Sequence, residues 1–296
     1  MSKPDQIVGW VARVLWIVLA LVSITTLTDA LDGRSTLARS VVLGMLSVAW
    51  TGALVALLVP RTSSLTAARL IVPAGLVATV AVTATGSTVD VADITAITVA
   101  VAATLTVLSP WFTESWVDGS SYGPEHRLPL QTPLVLATTV VPLSWGLAVA
   151  GAVAGPLLLA GGNWLAGVPV LAAGAGVSFL AVRSLHQLSR RWVVLVPAGM
   201  VLHDPLALAE PQMFPRLAVA SLAPAPADTD AVDLSGGASG LALQLDLTEP
   251  VELLVVKGRD RTETVETASL LFTPARPAHL LDRARHHRIR VPADRA

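Results

Sequence analysis

The chain has 296 residues, of which 53% are hydrophobic and 14% charged, with a formal net charge of -1. A soluble domain of ordinary composition is about a quarter charged, so most of this surface is made for an apolar solvent, and the lack of surplus Lys and Arg excludes nucleic acid as a partner of the whole chain. The absence of cysteine removes disulfides, thiolate metal sites, cysteine nucleophiles and palmitoylation together.

A helix needs about 20 mainly apolar residues to cross a hydrocarbon core of roughly 30 Å. Six stretches approach that length: about Ile7 to Leu27, Val41 to Val59, Leu70 to Thr85, Ile94 to Leu108, Leu134 to Ala154 and Leu165 to Leu185. The third and fourth are short and rich in Ala, Val and Thr. The first competes with a cleaved signal peptide, but its apolar stretch is long and Thr28-Asp29-Ala30 is a poor cleavage site, so it is read as a retained anchor. Eighteen of the 20 basic residues are Arg, and Ala and Val dominate the apolar set. That usage follows from a GC-rich gene and points to a bacterial, actinobacterial source.

Lys and Arg in short loops stay on the cytoplasmic side. Lys3, Arg13, Arg61, Arg69, Arg183, Arg190 and Arg191 then fall inside, and Asp90 and Asp93 outside, with Arg34 and Arg39 as the exception beside Asp29 and Asp32. The solution is a multi-pass protein of the bacterial inner membrane with both termini in the cytoplasm. Trp10, Trp111, Trp116, Trp164 and Trp192 mark predicted helix ends, where indole rings prefer the headgroups, whereas Trp16, Trp50 and Trp145 fall inside helices and are expected to pack.

Ionisable groups at membrane depth mark transport and proton pathways. The predicted helix centres carry none, and Arg13 and Arg183 lie close enough to the ends to snorkel. Pro73 and Pro169 fall near predicted helix starts, which leaves Pro142 as the expected kink. Gly151 with Gly155, and Ala172 with Gly176, have the spacing that lets helix backbones approach, and bundle packing is preferred over dimerisation.

The loop from Ser109 to Pro133 holds Trp111, Trp116, the only tyrosine Tyr122, and Glu114, Asp118, Glu125, His126 and Arg127. Loops that combine aromatic and charged groups commonly bind. It is expected to dock the domain that follows, with an amphipathic interfacial segment as the alternative.

From Trp192 the pattern changes to short strands. Trp192 to Val196, Pro197-Ala198-Gly199 and Met200 to His203 predict a β-hairpin, and strands are expected at Leu217 to Leu222, Leu241 to Leu247, Val251 to Val256 and Ser269 to Phe272. Ala223 to Gly240 is expected to be a long loop, and Arg276 to about Arg288 a closing amphipathic helix. The expected fold is thus a membrane all-α bundle of about six transmembrane helices over 1–191, followed over 192–296 by a small mainly-β barrel with a C-terminal helix.

Two segments, R-W-V-V-L-V-P-A-G-M-V-L-H-D and L-L-F-T-P-A-R-P-A-H-L-L, resemble the opening hairpin and the closing strand-to-helix joint of bacterial pleckstrin-homology-like (PH-like) domains fused to transmembrane helices. The whole chain also resembles actinobacterial polytopic integral membrane proteins. The likeness covers about a third of the chain as a fold and has no catalytic motif. It implies a binding or scaffolding module and assigns no residue a role.

Other motifs carry little chemistry. The run Ser235 to Gly240 has no P-loop lysine, His203-Asp204 lies on a strand where neighbours face apart, and His279, His286 and His287 have no carboxylate at zinc spacing. The basic end is different: Arg276, Arg283, Arg285, Arg288, Arg290 and Arg295 outnumber Asp282 and Asp294. Such clusters attract anionic lipid at about 1 kcal/mol per charge near the surface, and the alternative is a solvated helix face. The expected function is a non-enzymatic membrane scaffold or regulator whose cytoplasmic domain binds a partner protein or anionic lipid, without a cofactor. The candidate contacts are these arginines together with Trp111, Trp116, Tyr122, Glu125 and Arg127. The alternative is a small-molecule transporter or export accessory lined by Ser and Thr hydroxyls, from a set that includes Thr25, Thr26, Thr79, Thr83, Thr95, Thr98, Thr104 and Thr106.

Overall fold

The computed structural model describes residues 3–85, 89–258 and 261–292. The chain divides into two compact units, Met1–Gly119 with Pro142–His186, and Ser120–Val141 with Gln187–Ala296. The second unit is therefore discontinuous, and it takes 120–141, most of it expected as a loop, from the 1–191 stretch assigned to the transmembrane domain.

In the helical unit, α1 (Lys3–Val22) and α2 (Ile24–Leu31) form a pair bent by 41°. They are followed by α3 (Thr36–Leu58), α4 (Thr62–Thr83), α5 (Val91–Leu108), the short α6 (Pro110–Asp118), α7 (Val141–Ala160) and α8 (Trp164–Leu188). A π-helical turn, Leu136–Val140, precedes α7 and Pro142, so that span runs from Leu136 to Ala160. Five helices are long and apolar enough to cross a membrane, and a sixth if the bent pair is one span. Their surfaces expose large apolar side chains, such as Val48, Leu105, Leu165 and Phe179, as lipid requires. The chain is a multi-pass membrane protein.

Two expectations about α4 change. It begins at Thr62, because the hydroxyl-rich start can bond back to its own helix; Thr66 Oγ1 donates to the Thr62 carbonyl at 3.2 Å. Arg69 therefore lies inside a span, and Pro73 is in mid-helix rather than near a start. Pro73 lacks the N–H that would reach the Arg69 carbonyl, and on the neighbouring carbonyl of Leu70 the Trp145 indole donates at 3.1 Å.

The last carbonyls of a helix have no intrahelical donor. Here side chains from other elements supply one: Arg13 Nε donates to Leu57 O at 2.8 Å, Trp116 Nε1 to Ala56 O at 2.9 Å, and Arg69 Nε to Val107 O at 3.4 Å. Arg69 Nη2 also donates to Thr113 Oγ1 on α6. Cations at helix C-termini suit the macrodipole as well. Ser109 caps α6 by accepting from Phe112 N, and Phe112 and Trp116 stack at 3.8 Å and are buried. The first half of the supposed loop is thus a buried helix.

Gly151 and Gly174 bring α7 and α8 into backbone contact, and Ser178 Oγ donates to Ala148 O at 2.8 Å. Gly155 packs against Leu171, whereas a Cβ at Gly176 would meet nothing within 4 Å, so the expected Ala172 and Gly176 pair is not the contact. A Cβ at Gly174 would fall on the Gly151 carbonyl. Gly174→Val should destabilise the helical unit by about 1–3 kcal/mol through overpacking, and Gly176→Val far less. Thermal unfolding of both full-length variants in one detergent checks the contrast.

The β unit contains two four-stranded sheets. In the first, β1 (His126–Pro129), β2 (Trp192–Val196), β3 (Gly199–His203) and β4 (Gln212–Pro215) pair antiparallel in chain order. The second joins β5 (Val219–Pro224), β6 (Val232–Asp233), β7 (Leu243–Val256) and β8 (Thr262–Phe272) in the order β5-β7-β8-β6, with β6 parallel to β8. The helix α9 (Pro277–His286) buries Leu280, Leu281 and Ala284 in a common core with Leu195, Met200, Phe214, Leu245 and Phe272. Among the described residues the sheets are linked by isolated bridges, such as Leu130 to Pro274 and Leu208 to Val255, so no closed barrel forms.

The two strands expected around 241–256 are one, with the irregular pairing between Asp246 and Val251 absorbing Glu249-Pro250. The strand expected at Ser269 starts at Thr262, and β6 interrupts the expected loop of 223–240.

A buried ion pair holds the first sheet in place. Arg191 Nε and Nη2 donate to the two carboxylate oxygens of Asp204 at 2.7 and 2.6 Å, and Nη1 donates to the Gln131 carbonyl at 2.7 Å. Asp204 Oδ1 also accepts from Leu206 N at 3.1 Å. One guanidinium thereby fixes the 120–141 insertion to the start of β2 and the end of β3. Removing one partner leaves a buried charge, whereas replacing both with apolar groups does not. Asp204→Ala should cost about 3–5 kcal/mol, and Arg191→Met with Asp204→Leu much less. Amide exchange of β2 and β3 in the full-length protein measures both.

Candidate functional site

The candidate site is the basic end of the β unit, built on α9 and the residues after it. The apolar face of α9 is fixed by the core, and this decides where its cations go. Arg276, His279, Arg283 and His287 lie half-buried, while Arg285, His286, Arg288 and Arg290 are exposed. Five arginines against Asp282 give the described stretch 276–292 a surplus of four positive charges.

The helix ends in a Schellman motif. Ile289 N donates to Ala284 O and Arg288 N to Arg285 O, both at 2.9 Å, and Arg288 takes φ +58°. Glycine is the usual residue in this conformation, which costs other residues about 1–2 kcal/mol. The turn is required here because Ile289 is buried and the Arg290 carbonyl accepts from Leu222 N at 2.9 Å. Among the described residues Arg288 is the one non-glycine residue with positive φ. Its guanidinium makes no hydrogen bond or ion pair within the described residues, so no contact of its side chain offsets the strain.

Beside the turn, the His126 and His287 rings meet edge to face with centroids 5.6 Å apart. Burial lowers the pKa of His287 below the ordinary histidine value, and the neighbouring His126 lowers it further, against a backbone hydrogen bond to Val196 that raises it. Arg283 Nε donates to His279 Nε2 at 3.2 Å. The nearby acids face other cations: Asp282 lies 3.9 Å from His286, and Glu125 lies 3.6 Å from Arg127.

The outer face of the first sheet carries a second aromatic and basic group. The Arg127 guanidinium sits 5.8 Å from the centre of the Trp192 ring, and Trp192 lies 4.9 Å from His203. Burial and then Arg190 lower the His203 pKa, with Asp204 acting in the opposite direction.

Of the candidate contacts in the supposed loop, Tyr122, Glu125 and Arg127 belong to the β unit with the arginines, Tyr122 at 87% exposure. Trp111 and Trp116 belong to α6 in the helical unit, where Trp116 is buried and Trp111 is 48% exposed. The segment is thus divided between the two units. Arg295 lies outside the described residues. The expected separation of His203 from Asp204 holds, since Asp204 turns inward to Arg191. Among the described residues no set of three His, Asp or Glu side chains converges as metal ligands. A groove of about 480 Å³ runs along α3, lined by Ser47, Val48, Thr51, Gly52 and Val55 of that helix alone.

Compared with protein-family models, curated proteins and solved structures, the chain matches none.

Sequence reasoning missed the contributions of His126 and Arg191. His126 is placed by β1, whose four residues give too short a pattern to read as a strand, and Arg191 is one of a pair of arginines that resemble an ordinary cytoplasmic flank. Replacing Arg288 by glycine removes the left-handed strain but adds unfolded-state freedom. Arg288→Gly should stabilise the β unit by about 0.5–1 kcal/mol, as read from denaturant unfolding of the full-length protein.

Proposed function

We propose that the protein is a non-enzymatic membrane scaffold or regulator, in which the helices anchor a β unit that binds anionic lipid headgroups through Arg285, Arg288 and Arg290. The observation that carries this is Arg288: a strained, exposed arginine without a partner in the described residues, inside a stretch with four surplus positive charges. Strain of this kind persists where a side chain serves function. In this reading Tyr122 and Arg127 extend the surface, the β unit is a PH-like module of a bacterial, actinobacterial inner-membrane protein, and it lies in the cytoplasm with both termini. Two sheets and one C-terminal helix support the PH-like assignment in outline. A soluble protein partner with an acidic surface is the competing occupant of the same arginines.

The hydroxyl distribution supports an anchor more than a transport pathway. Thr79, Thr95, Thr98 and Thr106 each donate to a carbonyl of their own helix three or four residues back, at 2.7 to 2.9 Å.

The test is amide exchange of 277–292 in the full-length protein reconstituted in nanodiscs. Protection should rise when phosphatidylglycerol replaces phosphatidylcholine and fall with salt. Each Arg→Gln change at 285, 288 or 290 should weaken it about fivefold, from roughly 1 kcal/mol per charge. Protection that ignores lipid charge would remove lipid as the ligand.

A further inference from the structure

We propose that Arg283, His287 and His126 form a proton-gated site for a phosphate-type oxyanion. This deepens the lipid reading above and rests on it for the origin of the ligand, but not for the chemistry of the site. The geometry comes first. Arg283 on α9 and His287, the residue that caps its C-terminus, stand four residues apart with His287 N donating to the Arg283 carbonyl at 3.0 Å, so their side chains share one side of the helix end. His126, at the start of β1, brings its ring to His287 from the sheet. All three are half-buried, where a charge is worth more than in open water.

The charges around this group are unbalanced. Arg283 and His286 on α9 and His126 on β1 all act on His287 with the same sign. Just before β1 the Glu125 carboxylate faces Arg127, and on α9 Asp282 faces His286. From β2 the group receives only the Val196 carbonyl. Among the described residues neither Arg283 nor His287 makes an ion pair, and Arg283 spends its Nε proton on His279, which leaves the other guanidinium donors for a ligand.

The His287 imidazole is held neutral first by its burial and then by His126, Arg283 and His286, beside which protonation would add a further cation. An oxyanion seated between Arg283 and His287 reverses that balance. It accepts from the Arg283 guanidinium and from the protonated His287 imidazole, and charge-assisted bonds of this kind are the strong ones. Binding therefore takes up a proton. With the folded pKa of His287 lowered, its ring is neutral at pH 7 beside the charged Arg283, and acidification through the histidine range charges it and favours the anion. Conversely, in the absence of an anion the same protonation opposes folding, so the stability this neutral histidine contributes is lost as pH falls below its ordinary value.

The experiment follows histidine ring resonances in the full-length protein, labelled on histidine and held in a nonionic detergent. Sulfate is the probe, since its charge is constant over the range where histidine titrates. Sulfate should move the His126 and His287 signals and raise the pKa of His287, and affinity should fall about tenfold per pH unit above that imidazole's pKa. Arg283→Gln and His287→Gln should each abolish the response. A wild-type titration in which sulfate leaves the His287 pKa unchanged, or binds equally at pH 5.5 and 8, overturns the proposal without any variant. Nanodiscs with phosphatidylglycerol form the second arm: a shift there but not with sulfate assigns the site to lipid phosphate alone, and a shift with both assigns it to the oxyanion in general. If both histidines ignore sulfate and lipid while the lipid-dependent protection of 277–292 persists, the gate fails and the lipid reading stands. If the protection fails but sulfate binds with the expected pH slope, the gate stands and the lipid reading falls.

Discussion

A buried guanidinium needs acceptors for its protons, and Arg191 finds them in both carboxylate oxygens of Asp204 and in the Gln131 carbonyl. The β unit depends on this. Its first strand, His126–Pro129, comes from a chain segment that enters between α6 and α7 and leaves again, so sequence proximity cannot hold it. The ladder to β2 is four residues long, and short ladders are weak. Arg191 adds a charged bond at the point where that ladder ends, joining the inserted segment to β2 and to the turn after β3. Asp204, accepting from Leu206 N as well, cannot move without leaving several donors unpaired. Such a pair adds little net stability over an apolar packing of the same volume, but it tolerates one register only.

The helical unit obeys the same accounting in a harsher solvent. Lipid offers no hydrogen bonds, so carbonyls at helix ends and around Pro73 need donors from the protein. Arg13, Arg69, Trp116 and Trp145 each place one N–H on such a carbonyl. This explains why α6 is buried although it carries Thr113, Glu114 and Ser115. Its indole closes the end of α3, and its threonine receives Arg69. An arginine at this depth is commonly read as part of a pathway. Here its bonds run to the end of α5 and to α6, which is the pattern of a clamp.

The membrane spans were legible in the sequence because a long apolar run admits few structures, but their boundaries moved by several residues, at the start of α4, where Ser and Thr disguised it, at the start of α3 and at the end of α7. The opening hairpin was legible for a similar reason, since Pro197 to Gly199 states its turn chemistry in three residues. What escaped were pairings between distant segments. Nothing local in His126 to Pro129 distinguishes a strand from a polar loop; its partner Trp192–Val196 is more than sixty residues away. The Arg191 and Asp204 pair was hidden because each residue has a commonplace local role, one as a positive helix flank and one before a proline. At the basic end the arginines could be counted but not sorted. Only the core contacts of Leu280, Leu281 and Ala284 decide that Arg285 points outward while Arg283 lies against the sheet side with His287.

That sorting separates two kinds of cation at one helix end. Arg283 and His287 are half-buried beside His126, where protonation state can govern binding; Arg285, Arg288 and Arg290 are exposed, where charge acts at long range and salt screens it. The left-handed residue lies between the two sets. Ile289 must return to the core and Arg290 must meet Leu222, so whichever residue occupies position 288 bears the strained conformation. Glycine would bear it at the least cost but would offer a ligand nothing. An arginine there holds a rigid backbone under a long cationic side chain, at the junction between the exposed arginines and the half-buried imidazoles. Its guanidinium meets no acceptor within the described residues, and the strain is offset by the burial of Ile289 and the bond from Leu222 N to the Arg290 carbonyl.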